Sequence, residues 1–550
     1  MLLSMMRLLK LAFLLVFMLC MQQAMPQAAN RIVPAPVSFV AEQGASFLLD
    51  EETAIYFPSS FSKQATLLQE QLYAQVGIRL PLNLLMKNAA LPASAIVLEA
   101  QHASIDRSEM YRLHISAQRV LMQANDVRGF VNAIQTLMQL IPLQKSKSLQ
   151  IPALRITDYP RFAYRGMHLD VVRHFFSVDY IKKYIDYLTF HKFNTFHWHL
   201  TDDQGWRFEV KSYPRLNSIG SWRDSTLIGH FRDTPARYDG KRYGGYYTRA
   251  EIRSILDYAA VRGITVIPEL DIPGHSRAAI AAYPQLSTRP DTVWNVANTW
   301  GMYNRQNNVL APNDFTFQFL KDIFAELASL FSSSPYIHLG GDECSKLWWK
   351  QDPATQRFMQ KKGLKNETAL QTYFISYVAD LLKQNDKKVV GWHEITEGAV
   401  DTSALIMNWS DEAKALSVAK KGYQLIMSPG KPFYFDHFQS KDPGDSLAIH
   451  GYNPLQAVYQ YSVIPASLSK AGLAHKVMGA QGNVWTEYME HDTKVDYMIF
   501  PRMTALSENL WSEKKDYQDF LKRLEATIVP RYTWWGSSYF KDYRRWTAEQ

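Results

Sequence analysis

Apolar positions recur along this chain with two different periods, and the change from one to the other divides it. Over residues 30–155 short alternating runs stand between helically spaced ones. Ser94–Ala100, Tyr111–Ser116 and Val120–Ala124 read as strands, while Phe61–Val76 and Val127–Ile141 carry apolar residues every third or fourth position and read as helices. This predicts a small α+β unit, and none of its residues suggests chemistry. Pro152 to Pro160 is a plausible boundary. Over residues 156–550 the pattern becomes strand, loop, helix, repeated. The predicted strands are Gly166–Val171, Thr195–Leu200, Thr265–Leu270, Tyr336–Leu339, Lys388–Trp392, Ala404–Trp409, Gln424–Ser428 and Val477–Gly479. Predicted helices include Val178–Lys192, Thr248–Arg262, Ala369–Gln384, Asp411–Lys421 and Val495–Trp511. Eight strands alternating with helices predict an α/β fold, a closed (β/α)8 TIM-type barrel preceded by the α+β accessory domain. The stretch exceeds the ~250 residues typical of such barrels, so long inserted loops are expected at Phe208–Tyr247 and from Tyr434 to about Ile464.

A barrel of this kind places its chemistry where strands end and loops begin. Polar clusters fall at those points. The first strand ends in Arg173-His174, the second in His199 to Asp203, the third in Glu269 to His275, and the fourth in Gly340-Gly341-Asp342-Glu343. The fifth ends in Trp392-His393-Glu394 and the sixth in Trp409, and the eighth leads to Trp485-Thr486-Glu487. Ionisable groups at so many successive strand ends are not core packing.

Composition narrows the picture. Aromatic residues make up 13% of the chain, with 14 Trp and 30 Tyr, which suits either a large aromatic core or a site where flat sugar faces stack. The net charge is +8, but the Lys and Arg are scattered, so the clustered footprint of nucleic-acid binding is missing. Arg7 and Lys10, the apolar stretch from Leu8 to about Met21, and the small residues around Ala28 and Ala29 form a secretory signal peptide over residues 1–29. Export to the periplasm or the outside of the cell is expected, with no membrane span in the mature chain. Cleavage leaves Cys344 as the single cysteine, so no intramolecular disulfide can form.

Most glycosidases set two carboxyls across the scissile bond, about 5–5.5 Å apart for retention and ~6.5–9.5 Å for inversion. Asp342 and Glu343 are adjacent, and neighbouring strand residues point to opposite faces, so they should not oppose each other as acid and nucleophile. At a strand end, after two glycines, the backbone can bend and bring both into one pocket. A substrate that carries its own nucleophile fits such a pair. A 2-acetamido carbonyl oxygen can attack the anomeric carbon and give an oxazolinium ion, with one carboxylate orienting the amide and the other moving the proton.

His338-Leu339-Gly340-Gly341-Asp342-Glu343 resembles the signature of the β-N-acetylhexosaminidases of glycoside hydrolase family 20, a recognised substrate-assisted exception to the two-carboxylate scheme. The resemblance continues through Arg165 to Phe175, His197 to Trp206, Pro268 to His275, Gly391 to Glu394, Tyr434 to Asp436 and Trp485 to Glu487, in the family's order. The N-terminal unit is similar to the family's accessory domain. The resemblance implies Glu343 as acid/base, Asp342 as the acetamido-orienting carboxylate and Tyr434 as donor to the acetamido oxygen. It implies that Trp392, Trp409 and Trp485 line the pocket, that Arg173, Asp436 and Glu487 bind hydroxyls, and that Asp202 and His275 form a relay behind Glu343. Asp271 is expected to support His275, and His338 and Glu269 to be structural. Trp348 and Trp349 either flank the leaving group or are buried. The implied activity is exo-acting, retaining removal of terminal N-acetyl-D-glucosamine or -galactosamine from a glycan or chitooligosaccharide, with no cofactor and no metal. Two other readings exist. His197-Trp198-His199 is an H-x-H of the kind metal-dependent barrel hydrolases use, although such motifs tend to open the first strand and this one lies on the second. A non-catalytic glycan-binding barrel would have no need of the Asp342-Glu343 pair.

Overall fold

The computed structural model describes residues 30–86, 90, 92–101 and 107–547. The signal peptide expected over residues 1–29 lies outside the described residues. The accessory unit is a seven-stranded mixed sheet. Its strands run in the order Ser38–Ala41, Leu154–Asp158, Tyr111–Ile115, Arg119–Ala124, Ala95–Ala100, Ala54–Phe57 and Leu82–Leu84. Two helices, Ser62–Val76 and Val127–Leu140, pack on it and on each other. The second starts where the Asp126 carboxylate accepts the Gly129 N–H at 2.7 Å, a side-chain N-cap. The strand Leu154–Asp158 crosses the division expected at 155/156 and belongs to the accessory sheet, paired with Ser38–Ala41 on one side and Tyr111–Ile115 on the other.

The barrel is closed and wholly parallel. Its strands are Tyr164–Asp170, Thr195–His199, Thr265–Glu269, Tyr336–His338, Lys388–Trp392, Leu405–Asn408, Gln424–Met427 and Val477–Gly482, and the eighth pairs with the first through Tyr164 and Gly479. Helices cover the outside, so the strands are buried on both faces, as parallel sheets require. Every residue of the first two strands is buried. The interior combines apolar residues (Ile267, Val390, Met407, Ile426) with a polar knot of His168, His197, His199, Glu269 and His338.

One predicted helix is corrected. Val495–Trp511 is two helices, Asp492–Ile499 and Arg502–Trp511. Pro501 has no N–H to donate to the preceding turn, and its ring clashes with a continuing helix. Arg502, fully buried, then turns inward and donates to the carbonyls of Phe435, His437 and Asn453. The break thereby becomes a clamp on the loop after the seventh strand.

Buried polar pairs fasten the accessory unit to the barrel. The Lys192 ammonium and the Asp158 carboxylate are both fully buried and 2.9 Å apart, and Asp158 also accepts from the Tyr111 hydroxyl at 2.7 Å and the Trp511 indole at 2.9 Å. Trp511, from the barrel's last long helix, packs within the accessory core. Arg165 on the first barrel strand pairs with Glu109 of the accessory unit, which also accepts from Asn194 at 2.8 Å.

Candidate active site

The fourth strand shows how adjacent carboxylates come to share a pocket. Gly340 and Gly341 have φ of 63° and 94°, and Glu343 itself sits at 45°. Three left-handed residues in four reverse the chain sharply, which only the two glycines tolerate without strain. An ordinary side chain at Gly340 would strike the Asp271 carboxyl, and one at Gly341 would strike Ile395. Asp271 Oδ1 accepts the Gly341 N–H at 3.0 Å. Asp271 therefore braces the turn, and it supports His275 by its charge and not by a direct hydrogen bond.

Asp342 and Glu343 both line a cavity of about 720 Å³ at the C-terminal face, together with Arg173, Asp202, His275, Trp409, Tyr434, Asp436 and Trp485. The Asp342 side chain is 16% exposed and that of Glu343 51%, so Glu343 is the more open of the two to solvent. Both lie beside one imidazole. His275 Nε2 is 3.9 Å from Asp342 Oδ2 and 3.8 Å from Glu343 Oε2. His275 is itself held at a left-handed φ of 46°, and its Nδ1 contacts Asp202 Oδ1 at 3.0 Å. Burial works against charge on this ring, but the neighbouring Asp202, Asp203 and Asp271 overcome it and hold the imidazole pKa well above its ordinary value. The Glu343 carboxyl is raised by loss of hydration and by the Asp342 charge, against the pull of His275.

Asp202 is a junction. Its Oδ2 is 2.8 Å from both Arg173 Nη2 and His199 Nε2, and its pKa is driven well down by these cations and His275 in spite of burial. Arg173 is held in turn by Gln204 at 3.0 Å and lies over the Trp485 ring at 5.1 Å. Asp436 and Glu487 are raised first by burial, and Glu487 adds to the rise at Asp436. Asp342 Oδ1, Asp436 Oδ1 and Glu487 Oε2 are buried and have no donor among the described residues. Buried acceptors are normally paired, and of these three residues Asp342 and Asp436 line the cavity, so their oxygens are available to N–H and O–H groups of a ligand. Tyr434 stays a protonated donor, because burial and then Asp342 raise its phenol well above 10.

Two expected positions differ. Trp392, the last residue of the fifth strand, is 1% exposed and lies beneath the cavity surface, because its indole N–H donates inward to Glu269 at 3.0 Å. It supports Trp485, whose ring centroid is 6.1 Å away. Glu487 lies near enough to Arg173 and Asp436 to interact with both charges but is not among the cavity-lining residues. Trp349 is fully buried, donates to the Leu310 carbonyl at 2.8 Å and stacks on Phe374. Cys344 is buried with its thiol pushed up to about 11 by that burial, so it is a packing residue.

Sequence reasoning placed Glu394 at the end of the fifth strand but gave it no role. Both of its oxygens accept the Trp409 indole N–H, at 3.1 and 3.2 Å, and burial plus the nearby Asp342 push its carboxyl to about 8. The signal was visible only as one more acid at a strand end. Among the described residues, the clusters with metal-ligand spacing are His168/His199/Glu269, His197/Glu269/His338, Asp202/Asp203/His275 and Asp271/His275/Asp342. The His197-Trp198-His199 alternative meets a difficulty here. His199 Nδ1 is 2.5 Å from Glu269 and its Nε2 is 2.8 Å from Asp202, so both ring nitrogens are committed within the protein.

Fold and site together define a (β/α)8-barrel protein with a carboxylate-rich, tryptophan-walled pocket at its C-terminal face. The chain belongs to glycosyl hydrolase family 20: the family's catalytic domain matches residues 162–514 and its domain 2 matches residues 29–159. It is 37% identical over 513 residues to a beta-hexosaminidase of Porphyromonas gingivalis, covering 90% of this chain and 63% of the relative. It is 39% identical over 402 residues to a beta-hexosaminidase of Vibrio furnissii, covering 72% of this chain and 64% of the relative. The chain thus spans a little under two thirds of the length of these two relatives. The solved exo beta-N-acetylglucosaminidase of Vibrio harveyi, in complex with N-acetylglucosamine, superposes with a TM-score of 0.81 at 33% identity, covering 94% of this chain and 79% of that one.

Proposed function

We propose that the protein is an exo-acting, retaining β-N-acetylhexosaminidase that hydrolyses terminal non-reducing N-acetyl-D-glucosamine and N-acetyl-D-galactosamine residues by substrate-assisted catalysis. The observation that carries this reading is the turn Gly340 to Glu343. It sets two adjacent carboxylates beside one imidazole, an arrangement suited to steering an amide and moving a proton and unsuited to flanking a bond from opposite sides. Asp342 Oδ1, buried and without a donor among the described residues, accepts the substrate amide N–H and balances the oxazolinium charge. Tyr434 donates to the acetamido oxygen. Glu343, its pKa raised as a general acid requires, protonates the leaving oxygen and then activates water. His275 and Asp202 govern its protonation. Arg173 and Asp436 bind sugar hydroxyls, with the Glu487 carboxyl set against Arg173, and Trp409 and Trp485, with Trp392 beneath, hold the amide in attack geometry. The relatives' names and the N-acetylglucosamine complex of the Vibrio harveyi enzyme support the same substrate class. The sequence of residues 1–29 supports export, and chitooligosaccharides are one fitting source of terminal N-acetylhexosamine. No helix among the described residues is long and apolar enough to cross a membrane.

The test is turnover of 4-nitrophenyl 2-acetamido-2-deoxy-β-D-glucoside and its galacto epimer, with product configuration followed by NMR. Glu343→Gln should reduce kcat by about 10^2–10^4-fold on a poor leaving group. A trifluoroacetamido substrate should react more slowly, because its carbonyl oxygen is a weaker nucleophile. No turnover by folded wild type, or undiminished turnover by Glu343→Gln, sinks the proposal.

A further inference from the structure

Glu269 has more polar neighbours than a structural acid at a strand end needs. It is fully buried at the end of the third strand, and its two oxygens meet groups from three other strands. Oε1 accepts the Trp392 indole N–H at 3.0 Å and lies 2.9 Å from His338 Nδ1. Oε2 lies 2.5 Å from His199 Nδ1 and 3.0 Å from His197 Nε2. His199 continues to Asp202 at 2.8 Å, Asp202 to His275 at 3.0 Å, and His275 faces Glu343 at 3.8 Å.

We infer that Glu269 is a positioning residue for the hydrolytic reaction, fixing from one buried carboxylate both the Trp392 indole beneath the sugar pocket and the His199–Asp202–His275 chain that ends at Glu343. The inference rests on the function proposed above and extends the expected Asp202–His275 relay inward by two residues.

The chain alternates in sign. Glu269 is held ionised well below its ordinary value by the surrounding histidines despite burial, and His199 is raised to about 10 by Glu269 and Asp202 despite its own. His199 is then an imidazolium that donates from both nitrogens, which fixes its ring and the Asp202 carboxylate together. Asp202 in turn keeps His275 charged beside Glu343. A barrel centre built for stability alone would do as well or better with apolar side chains, since replacing buried ion pairs by packed hydrophobic residues is often neutral or stabilising. What the polar centre adds is orientation. Neither Trp392 nor Asp202 can rotate while Glu269 and His199 hold them.

The experiment compares two substrates that differ only in how much acid assistance they need, the 2,4-dinitrophenyl and 4-methoxyphenyl 2-acetamido-2-deoxy-β-D-glucosides. The enzymes are wild type, Glu269→Gln, His199→Gln and Trp392→Phe. Disrupting a positioned acid relay should cost much of the general-acid contribution, so Glu269→Gln and His199→Gln should lower kcat by about 30-fold or more on the methoxyphenyl substrate and by under about 5-fold on the dinitrophenyl one. Trp392→Phe removes the N–H together with part of the ring, leaves the His199–Asp202–His275 chain in place, and should lower kcat/KM on both substrates by the same factor, about 5-fold. A purely structural Glu269 would instead slow both substrates equally, and that result for Glu269→Gln and His199→Gln overturns the inference. If Glu269→Gln does not fold, His199→Gln, which leaves the Trp392 contact untouched, decides alone. Wild type inactive on both substrates would overturn the proposed function itself, whereas active wild type with substrate-independent losses overturns only the role of Glu269.

Discussion

Replacing Gly340 by Ala tests whether the turn, more than the identity of the acids, makes the site. A methyl group there would lie 1.9 Å from Oδ1 and 2.1 Å from Cγ of Asp271, where ordinary contact is 3.4–4 Å. The Asp271 carboxyl would have to retreat by about 1.5 Å to restore ordinary contact. It is 3% exposed and already accepts the Gly341 N–H at 3.0 Å, so retreat breaks that bond. The left-handed φ of 63° costs a non-glycine residue about 1–2 kcal/mol. Loss of the buried N–H partner costs about 1–3 kcal/mol, and overpacking costs ~1–3 kcal/mol. Together these come to roughly 3–8 kcal/mol, a large share of the ~5–15 kcal/mol that holds a protein folded. If the turn relaxes by tilting the Asp342–Glu343 peptide, a 1 Å misplacement alone is expected to cost about 10^2-fold in rate. Gly340→Ala should therefore show a lower midpoint in urea and, in whatever folds, a kcat on the 4-nitrophenyl glycoside reduced by about 10^2-fold. Wild-type midpoint and wild-type turnover in the same variant would refute the reasoning.

Two further changes probe the electrostatics. The basic limb of the pH profile of kcat/KM reports loss of the acidic proton in the free enzyme; because the Asp342 charge raises the Glu343 carboxyl, Asp342→Asn should lower that pKa and move the limb to lower pH, besides slowing the reaction. A limb that stays or moves up would show that Asp342 does not act on Glu343 in this way. At the domain contact, Asp158→Asn leaves the buried Lys192 ammonium without its carboxylate and should destabilise the protein by about 3–5 kcal/mol, read by chemical denaturation; a loss under about 1 kcal/mol would show that the pair does not hold the two units together.

The eight barrel strands were legible because parallel strands covered on both faces appear as short apolar runs, and polar residues stop those runs at the face where chemistry is done. Asp342 and Glu343 were legible as a pair for a related reason, since two glycines at the end of such a run announce a reversal. The strand Leu154–Asp158 was harder. It begins inside the expected boundary segment and joins a sheet whose other strands lie well before it in the chain, so no local period reveals its partners. The break at Pro501 was visible as a residue, but the apolar spacing on either side ran on in phase and concealed two helices.

What periodicity cannot carry is where a side chain at a strand end turns. Trp392 ends the fifth strand and Trp409 follows the sixth, two residues beyond the register partner of Trp392, and by type either suits a sugar wall. One is drawn down by Glu269 and the other is held at the cavity by Glu394. Two carboxylates, Glu269 at the end of the third strand and Glu394 in the short turn of helix after the fifth, thus decide which indole faces the cavity. The same holds for Glu269, expected to be structural, and for His199, half of an H-x-H with His197 until both its nitrogens were seen to be taken. In this barrel the reacting groups are announced by their residue types and spacing. The groups that orient them are set by pairings across strands, and a buried acid among histidines acquires its meaning only when its four neighbours are in place.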